Sequence, residues 1–375
     1  MISSGESTGF AGSREGYLFL SLLQARTGTS LLRRMGDLSP DRLPEMSDRE
    51  LGEHVKLSEK ARRAFGELRR EFDAEAVLGR LAQTGASAVT LADGGYPERL
   101  REMPDPPPAL FVRGTIPEGP AVALVGSRKA SVTGIENARE LGRALGERGV
   151  CVVSGLALGI DAAAHEGALA SGGPTAGVLG CGIDVIYPRR NRELFERVRG
   201  SGAVVSEYYL GEQPLPWRFP ARNRVISGLS ETVVVVEASE KSGALITARH
   251  ALEAGQDVWS VPGPLRPPEC RGSNRLLGDG AGVIWDVAEF VDAVAPEPAR
   301  PVAPRALPME ELEEGELPQH EARVLLEVGF EATGVDVISG RSGVGMRELL
   351  PVLSMLELKG YVARDSGGSY SRRGR

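Results

Sequence analysis

Six short apolar runs recur between residues 121 and 261 and determine the expected fold of this part of the chain. The runs are 121–125, 150–153, 175–179, 203–206, 232–237 and 257–261. They show almost no polar alternation, which is typical of parallel strands covered on both faces. Between the first two runs, Ile135, Ala138, Leu141 and Leu145 recur at helical spacing. This alternation predicts an α/β fold, a Rossmann-like doubly wound and mostly parallel sheet with right-handed crossovers.

The segment before this sheet has a different pattern. Residues 1–14 are rich in serine and glycine and are predicted to be disordered. Leucine recurs at helical spacing over 15–94, which predicts a small helical domain of the SAM-like or helix-hairpin-helix-like type. The Rossmann-like domain is then expected over 95–293, entered through a proline-rich extended connector.

The segment after the sheet predicts a linker and a third domain. Residues 294–318 are rich in proline and then acidic, as expected of a linker. Beyond them, helical patterns at 321–328, 336–339 and 346–359 precede a hairpin over 361–370 that turns at Gly367-Gly368. Three helices and a hairpin predict a winged-helix domain over 319–375. Its candidate recognition helix contains Glu348, Pro351 and Glu357, so a structural or partner-binding role is as well supported as duplex binding.

Composition narrows the function classes. A net charge of -7 argues against a wholly basic nucleic-acid coat but leaves room for a local basic patch. Cys151, Cys181 and Cys270 lack CxxC spacing, so they are expected to be reduced thiols rather than a disulfide frame or a metal site. The apolar stretch 17–23 is too short to span a membrane. We therefore expect a cytoplasmic protein with no membrane or metal partner.

The run 219–230 is the strongest candidate for a binding site. It contains Phe219, Arg222, Asn223 and Arg224, and the stretch 214–230 holds three arginines and no acid. Guanidinium groups bind phosphate in a bidentate manner, asparagine can read a base edge, and phenylalanine can stack on a base. From this run alone, an alternative is equally supported, in which Arg222 and Arg224 form ion pairs with carboxylates such as Glu207 and Glu237.

Glycine-bearing loops follow several predicted strands. Ligands of open α/β sheets bind where the carboxyl ends of strands meet helix N-termini, and glycine lets backbone N–H groups approach phosphate closely. These loops supply Gly126, Ser127 and Arg128, then Gly155, then Lys241, Ser242 and Gly243. Together with an Arg-Asn-Arg loop on the same sheet edge, they predict a phosphate-binding groove open enough for a polymer.

Catalytic residues are not predicted. His165 lies among alanines in a helical pattern and is expected to be structural, and Asp161 stands where a helix N-cap is expected. Glu207 and Glu237 could pair as carboxylates, but the sequence shows no partner that would orient them. There is also no GxxxxGK[ST] loop.

The motifs, taken in order, resemble those of the DNA-processing protein A (DprA/Smf) family. They are Val125-Gly126-Ser127-Arg128, Ser154-Gly155-Leu156-Ala157 with Gly159-Ile160-Asp161 and His165, Leu179-Gly180 with Asp184, Tyr187-Pro188 and Asn191, Ser206-Glu207, Phe219-Pro220-Ala221-Arg222-Asn223-Arg224, Glu237-Ala238, Ser242-Gly243 with Thr247-Ala248, Val261-Pro262-Gly263 and Gly272-Ser273-Asn274. They cover about 95–285, and the flanking domains are similar to the family's layout.

The resemblance implies a recombination mediator rather than an enzyme, with no cofactor. Members of the family bind single-stranded DNA, load a RecA-type recombinase onto it, and displace or coexist with single-strand-binding protein. They act as homodimers through the α/β domain and support natural transformation where it occurs.

The resemblance also implies a set of DNA contacts. Arg128, Phe219, Arg222 and Arg224 are expected to line the pocket, and charge and position add Lys241. The chain departs from the family at Pro216, where some relatives have lysine, and Trp217 and Arg218 are the candidates to replace that cation.

Two other functions compete with this one. The first is a nucleotide-processing enzyme with a phosphoribohydrolase-like fold, but such enzymes carry a Pro-Gly-Gly-x-Gly-Thr-x-x-Glu loop, and the run 242–247 lacks its carboxylate. The second is a transcription factor whose winged helix reads DNA while the α/β domain senses a ligand.

Overall fold

A computed structural model describes residues 12–36, 38–295, 318–329, 333–359, 361–364 and 369–372. The chain divides into two compact units, Met1–Glu297 and Pro298–Arg375. Most of the predicted disordered segment 1–14, most of the predicted linker 294–318 and the Gly367-Gly368 turn lie outside the described residues.

The first unit contains, within the described residues, a nine-stranded sheet. Its strands are β1 (Ser87–Thr90), β2 (Ala109–Gly114), β3 (Ala121–Val125), β4 (Cys151–Ser154), β5 (Thr175–Gly182), β6 (Gly202–Tyr208), β7 (Thr232–Val235), β8 (Asp257–Ser260) and β9 (Gly282–Val283). The spatial order is β1-β2-β6-β5-β4-β3-β7-β8-β9. Strands β3 to β9 are parallel, and β1 and β2 add an antiparallel end. The predicted doubly wound, mostly parallel sheet is confirmed, and the six predicted runs correspond to β3–β8.

Helices cover both faces of the sheet because successive strand residues point to opposite sides. They are α5 (Glu98–Arg101), α6 (Val132–Glu147), α7 (Ile160–Ala170), α8 (Arg192–Ser201), α9 (Arg218–Gly228), α10 (Ala244–Glu253), α11 (Arg271–Gly278) and α12 (Val287–Val294). In β3, Val122 and Leu124 pack toward α6 and α7, whereas Ala123 and Val125 pack toward α9 and α10.

The amino-terminal helices belong to the same packed structure as the sheet. They are α1 (Arg14–Thr27), α2 (Asp48–His54), α3 (Glu59–Glu71) and α4 (Ala74–Gln83). Leu18, Phe19, Leu20 and Leu23 of α1 are fully buried, in one hydrophobic core with residues of β1, β2, β5 and β6. A helix that is apolar on all sides is expected only where it is enclosed. Most of the apolar stretch 17–23 is therefore part of this core.

The segment 15–94, for which a helical domain was predicted, also contains a strand near its end. Residues Ser87–Thr90 form β1, which pairs with β2 as the antiparallel end of the main sheet. The run is short and only half-buried, so it lacks the apolar density that marks the parallel strands.

Within the described residues, the second unit contains three helices and a two-stranded antiparallel sheet. The elements are α13 (Gln319–Glu327), α14 (Val335–Ser342), α15 (Met346–Leu358), β10 (Val362–Arg364) and β11 (Tyr370–Arg372). Val324, Ile338, Leu349, Leu353 and Val362 are fully buried in its core. This arrangement is the one predicted for a winged-helix domain.

The three cysteines are free and buried. Burial raises the pKa of Cys151 to about 12 and that of Cys181 to about 11. Among the described residues there is no helix with the length and hydropathy needed to cross a membrane.

Candidate nucleic-acid interface

A cavity of about 760 Å³ opens at the carboxyl edge of the sheet. The strand order reverses there, because β3 has β4 on one side and β7 on the other. Such a switch point is where open α/β sheets bind ligands. Eight of the predicted contacts line the cavity: Gly126, Ser127, Arg128, Phe219, Arg222, Asn223, Ser242 and Gly243.

The loop between β3 and α6 forms one wall of the cavity and is fixed by Glu237, which follows β7. The Ser127 amide donates to the Glu237 carbonyl at 2.7 Å, and the Glu237 carboxylate accepts from the Ser131 amide at 3.0 Å and from the Ser131 hydroxyl. A Cβ on Gly126 would lie 2.5 Å from Ile160 Cγ1 and 2.9 Å from the Glu237 carbonyl oxygen. Glu237 therefore holds the loop in place and does not pair with an arginine of the run 219–230.

The run that was predicted to be an Arg-Asn-Arg loop is the helix α9. Helical geometry places residues i, i+3, i+4 and i+7 on one face. Phe219, Arg222, Asn223 and Ile226 have this spacing, and all four line the cavity. The loop assignment failed because the run shows no continuous apolar stripe. The face of α9 that carries Phe219, Arg222 and Asn223 borders the cavity, so it is not uniformly apolar.

Arg222 forms part of the cavity floor. It is 4% exposed and donates to the carbonyls of Gly155, at 2.9 Å, and of Val178. Burial lowers its pKa to about 10, although nearby Asp161 opposes this shift. A Cβ on Gly155 would lie 2.6 Å from this guanidinium, so Gly155 makes room for Arg222 and does not itself line the cavity. The structure thus places Gly155, which was predicted as a DNA contact, beside Arg222 and outside the cavity lining.

Asp161 lies in the first turn of α7, but it does not cap that helix as predicted. The N-cap residue is Gly159. The Asp161 carboxylate instead accepts from the amides of Gly155, at 3.2 Å, and Ala157, at 3.4 Å. Burial raises the pKa of Asp161, and the Arg222 charge partly offsets this effect. The carboxylate therefore shapes the loop beneath the cavity.

Arg224, which was also predicted as a DNA contact, lies on the opposite side of α9 and outside the cavity lining. Its guanidinium pairs with Glu207 and donates to the Asp105 carbonyl at 2.6 Å, away from the cavity lining. Burial lowers the Arg224 pKa, but Glu207 and Asp105 outweigh it, so the pKa lies above its usual value. The ion-pair alternative is correct for this residue.

The loop between β7 and α10 forms another wall of the cavity. The Asn223 amide nitrogen donates to the Gly243 carbonyl at 3.1 Å, which joins α9 to this loop. Lys241 is exposed, but it is not among the residues that line the cavity. Lys241, which was predicted as a DNA contact, is therefore not part of the cavity wall.

Neither proposed substitute for the missing lysine lines the cavity, although Pro216 does. Arg218 is 3% exposed and pairs with Glu212 at 2.6 Å. The Trp217 ring packs against Tyr208, with the ring centroids 6.3 Å apart. Neither Trp217 nor Arg218 therefore supplies a cation to the cavity in place of the lysine expected at position 216.

Among the cavity residues outside the predicted set, Tyr187 and Lys129 are the ones that bear on nucleic-acid binding. Tyr187 is 44% exposed, and its ring centroid lies 5.5 Å from that of Phe219. Lys129 is exposed beside Arg128. The Tyr187-Pro188 motif and the Arg-Lys pair were visible in the sequence, but the pattern alone did not show that they reach this cavity.

His165 is separate from the cavity lining and fully buried. Its Nδ1 lies 2.7 Å from the Thr175 hydroxyl, which itself donates to the Val152 carbonyl. Burial lowers the pKa of His165 to about 3. The predicted structural role is consistent with this placement.

The mouth of the cavity combines cationic and aromatic groups. The Arg128 guanidinium lies 5.0 Å from the Phe219 ring centroid, over its face. Arg128 and Lys129 are exposed, and the described residues contain no carboxylate paired with either. The arrangement can hold a phosphate beside a stacked ring.

Comparisons with known proteins agree with this geometry. Residues 87–295 match the family profile described as DNA recombination-mediator protein A, and residues 303–368 match the DprA winged helix domain. Protein Smf of Synechocystis is 35% identical over 328 residues, 78% of this chain and 81% of that protein. The DNA processing protein DprA of Streptococcus pneumoniae is 43% identical over 209 residues, 54% of this chain and 74% of that protein.

Two solved structures are similar in fold. The X-ray structure of DprA from Streptococcus pneumoniae has a TM-score of 0.59 at 32% identity and covers 74% of this chain and 98% of that chain. DprA from Helicobacter pylori, described for its single-stranded DNA binding mode, has a TM-score of 0.51 at 30% identity and covers 56% and 94%. From the profile matches, the relatives and the fold together, the chain belongs to the DNA recombination-mediator protein A family, whose members are recombination mediators rather than enzymes.

Proposed function

We propose that the cavity binds single-stranded DNA. The observation that carries the proposal is the Arg128 guanidinium lying over the Phe219 ring at the cavity mouth, 5.0 Å from its centroid. A phosphate can accept from Arg128 while a base stacks on Phe219 or Tyr187. The Helicobacter pylori relative, described as binding single-stranded DNA, supports the assignment.

We further propose that the bound strand is delivered to a RecA-type recombinase, with the protein acting as a homodimer during DNA processing and natural transformation. Family membership supports this step. The protein should accelerate recombinase filament formation on DNA coated with single-strand-binding protein. Equal rates of filament formation with and without the protein would contradict the delivery step while leaving DNA binding intact.

Fluorescence anisotropy with a labelled oligothymidylate tests the DNA-binding proposal. Arg128→Ala should weaken binding by about tenfold and reduce the slope of log K against log salt by about 0.7, the value for one phosphate contact to a single strand. Phe219→Ala should weaken binding by about 1–3 kcal/mol, the usual contribution of base stacking, with an unchanged salt slope.

A matched control separates site effects from bulk charge. Arg139→Ala removes an equally charged residue that is paired with Glu166 on the surface of α6, so affinity should stay at the wild-type value. If Arg128→Ala behaved like Arg139→Ala, the cavity would not be the DNA site.

A further inference from the structure

We propose that the indole of Trp217 is a stacking platform for one nucleobase of the bound strand, beside the cavity mouth and outside the cavity lining. The inference rests on the proposed function and deepens it. It adds a contact that depends on the bases of the strand rather than on its phosphates.

Trp217 lies in the chain between residues that line the cavity. Pro214 and Pro216 line it before Trp217, and Phe219 lines it two residues afterwards. Trp217 is the N-cap residue of α9, and its Cα is about 3.8 Å from that of Pro216. A strand with one base stacked on Phe219 therefore has its next bases within reach of the indole.

One face of the indole is covered and the other is open. A Cβ on Gly28, which follows α1, would lie 3.3 Å from Cη2 and 3.5 Å from Cζ2 of Trp217, so the glycine backbone packs against the ring. The Arg218 guanidinium lies over the ring, 5.2 Å from its centroid, and donates to the Ala25 carbonyl of α1 at 3.4 Å. Both contacts therefore come from the side of α1. Since Trp217 is 43% exposed, its opposite face is open to a ligand.

The indole is held in place before a ligand binds. It makes an edge-to-face contact with Tyr208, at an interplanar angle of 83°. Arg218 fixes the loop that precedes α9, because it donates to the Glu212 carboxylate at 2.6 Å and to the Gln213 carbonyl at 2.9 Å. The Gly182 amide at the end of β5 donates to the Glu212 carbonyl at 2.8 Å. A ring fixed in this way loses little conformational entropy when a base stacks on it.

The charges around the indole favour a base over a phosphate. Arg218 is 3% exposed, and its guanidinium is engaged by Glu212 and by backbone carbonyls. Pro214, Leu215 and Pro216, which precede the indole, carry no charge. Within 214–218 the indole therefore has no free cation beside it, and it matches the π-face that every nucleobase carries.

Fluorescence anisotropy with an oligothymidylate and with an abasic oligonucleotide of the same length tests the platform. Trp217→Ala should weaken binding of the oligothymidylate by about tenfold, the size of one stacked base, with an unchanged salt slope. The abasic oligonucleotide keeps the phosphates and lacks the bases, so the variant should bind it like the wild type. Trp217→Phe should retain most of the affinity for the oligothymidylate, because it keeps an aromatic ring.

Leu215→Ala is the matched control, because it removes a 40% exposed apolar side chain from the same loop without removing a ring. It should bind both oligonucleotides like the wild type. Equal losses in Trp217→Ala and Leu215→Ala, or a loss that persists on the abasic oligonucleotide, would overturn the platform.

Tryptophan emission tests the same contact with the native side chain, even where Trp217→Ala fails to fold. The chain has three tryptophans, so the full-length variant Trp259→Phe/Trp285→Phe keeps Trp217 alone. A stacked base should quench its emission, whereas the abasic oligonucleotide should leave the emission unchanged. Unquenched emission in a protein that binds the oligothymidylate would rule out stacking on Trp217. If the wild-type protein bound neither oligonucleotide, the proposed function itself would fail, a separate result.

Discussion

The buried pair of Glu207 and Arg224 shows how one residue type can serve two purposes within a single motif. Arg222 and Arg224 are two positions apart, yet Arg222 forms part of the cavity floor, whereas Arg224 pairs with Glu207 on the other side of the helix. The spacing reveals this difference only once the run is known to be a helix, because residues two apart on a helix do not share a face.

Removing one partner of this pair should be costly. Glu207→Leu leaves the Arg224 charge buried without a carboxylate and should lower the free energy of unfolding by about 3–5 kcal/mol. The double variant Glu207→Leu/Arg224→Leu should recover most of that loss, since it removes both charges. Urea unfolding measures both. A single variant as stable as the wild type would show that the pair is not isolated from solvent.

His165 should make stability depend on pH. Burial lowers its pKa from 6.5 to about 3, so the folded protein keeps the ring neutral while the unfolded chain protonates it. The contribution is fully present above about pH 6.5 and is lost as the pH falls toward 3. The loss should amount to about 2 kcal/mol at pH 5, at 1.36 kcal/mol for each pH unit below 6.5.

His165→Leu isolates this effect. Between pH 7 and pH 5 its free energy of unfolding should fall by about 2 kcal/mol less than that of the wild type. Thr175 keeps its hydrogen bond to the Val152 carbonyl in this variant, so a polar group is not orphaned there. Identical pH profiles for the two proteins would mean that the ring is accessible to protons in the folded state.

At the scale of elements, the loop between β3 and α6 should tolerate no side chain at its first glycine. Gly126→Ala places a methyl group against Ile160 and the Glu237 carbonyl, so it should destabilise the protein by about 1–3 kcal/mol, as overpacking does. Gly243→Ala is the matched control, because its Cβ would meet nothing within 4 Å and stability should change by less than about 0.5 kcal/mol. Thermal unfolding distinguishes them, and equal melting temperatures would contradict the close packing.

Strands β3–β8 of the parallel sheet were predictable and the strands at the two ends of the sheet were not, for a physical reason. Strands β3–β7 are buried over almost their whole length, so their apolar runs stand out, whereas β8 is as exposed as β1. In β1 and β9 only part of each strand is buried, and Gly282-Val283 is too short to show any pattern. The position of the site could be predicted from the sheet topology. The contact of Tyr187 with Phe219 and the pairing of Arg224 with Glu207 could not, because both depend on the orientation of helix α9.

At the scale of the whole molecule, the two compact units lead to a prediction about truncation. A chain that ends at Glu297 keeps the whole cavity and the core that surrounds it. It should bind single-stranded DNA with the wild-type salt slope, measured by anisotropy. Loss of all DNA binding in the truncated chain would instead make the winged helix the principal reader of DNA.

The three buried cysteines allow local opening of the fold to be measured by the rate at which their thiols are alkylated. Cys151 packs with α9 and α10 on one face of the sheet, Cys181 packs with the amino-terminal helices on the other, and Cys270 lies at the start of α11. An alkylating reagent reaches each thiol only when its surroundings separate. Peptide mass spectrometry after timed alkylation would therefore rank the opening rates of three regions without any added probe. With DNA bound, the change in each rate would show how far the ligand's influence spreads from the cavity.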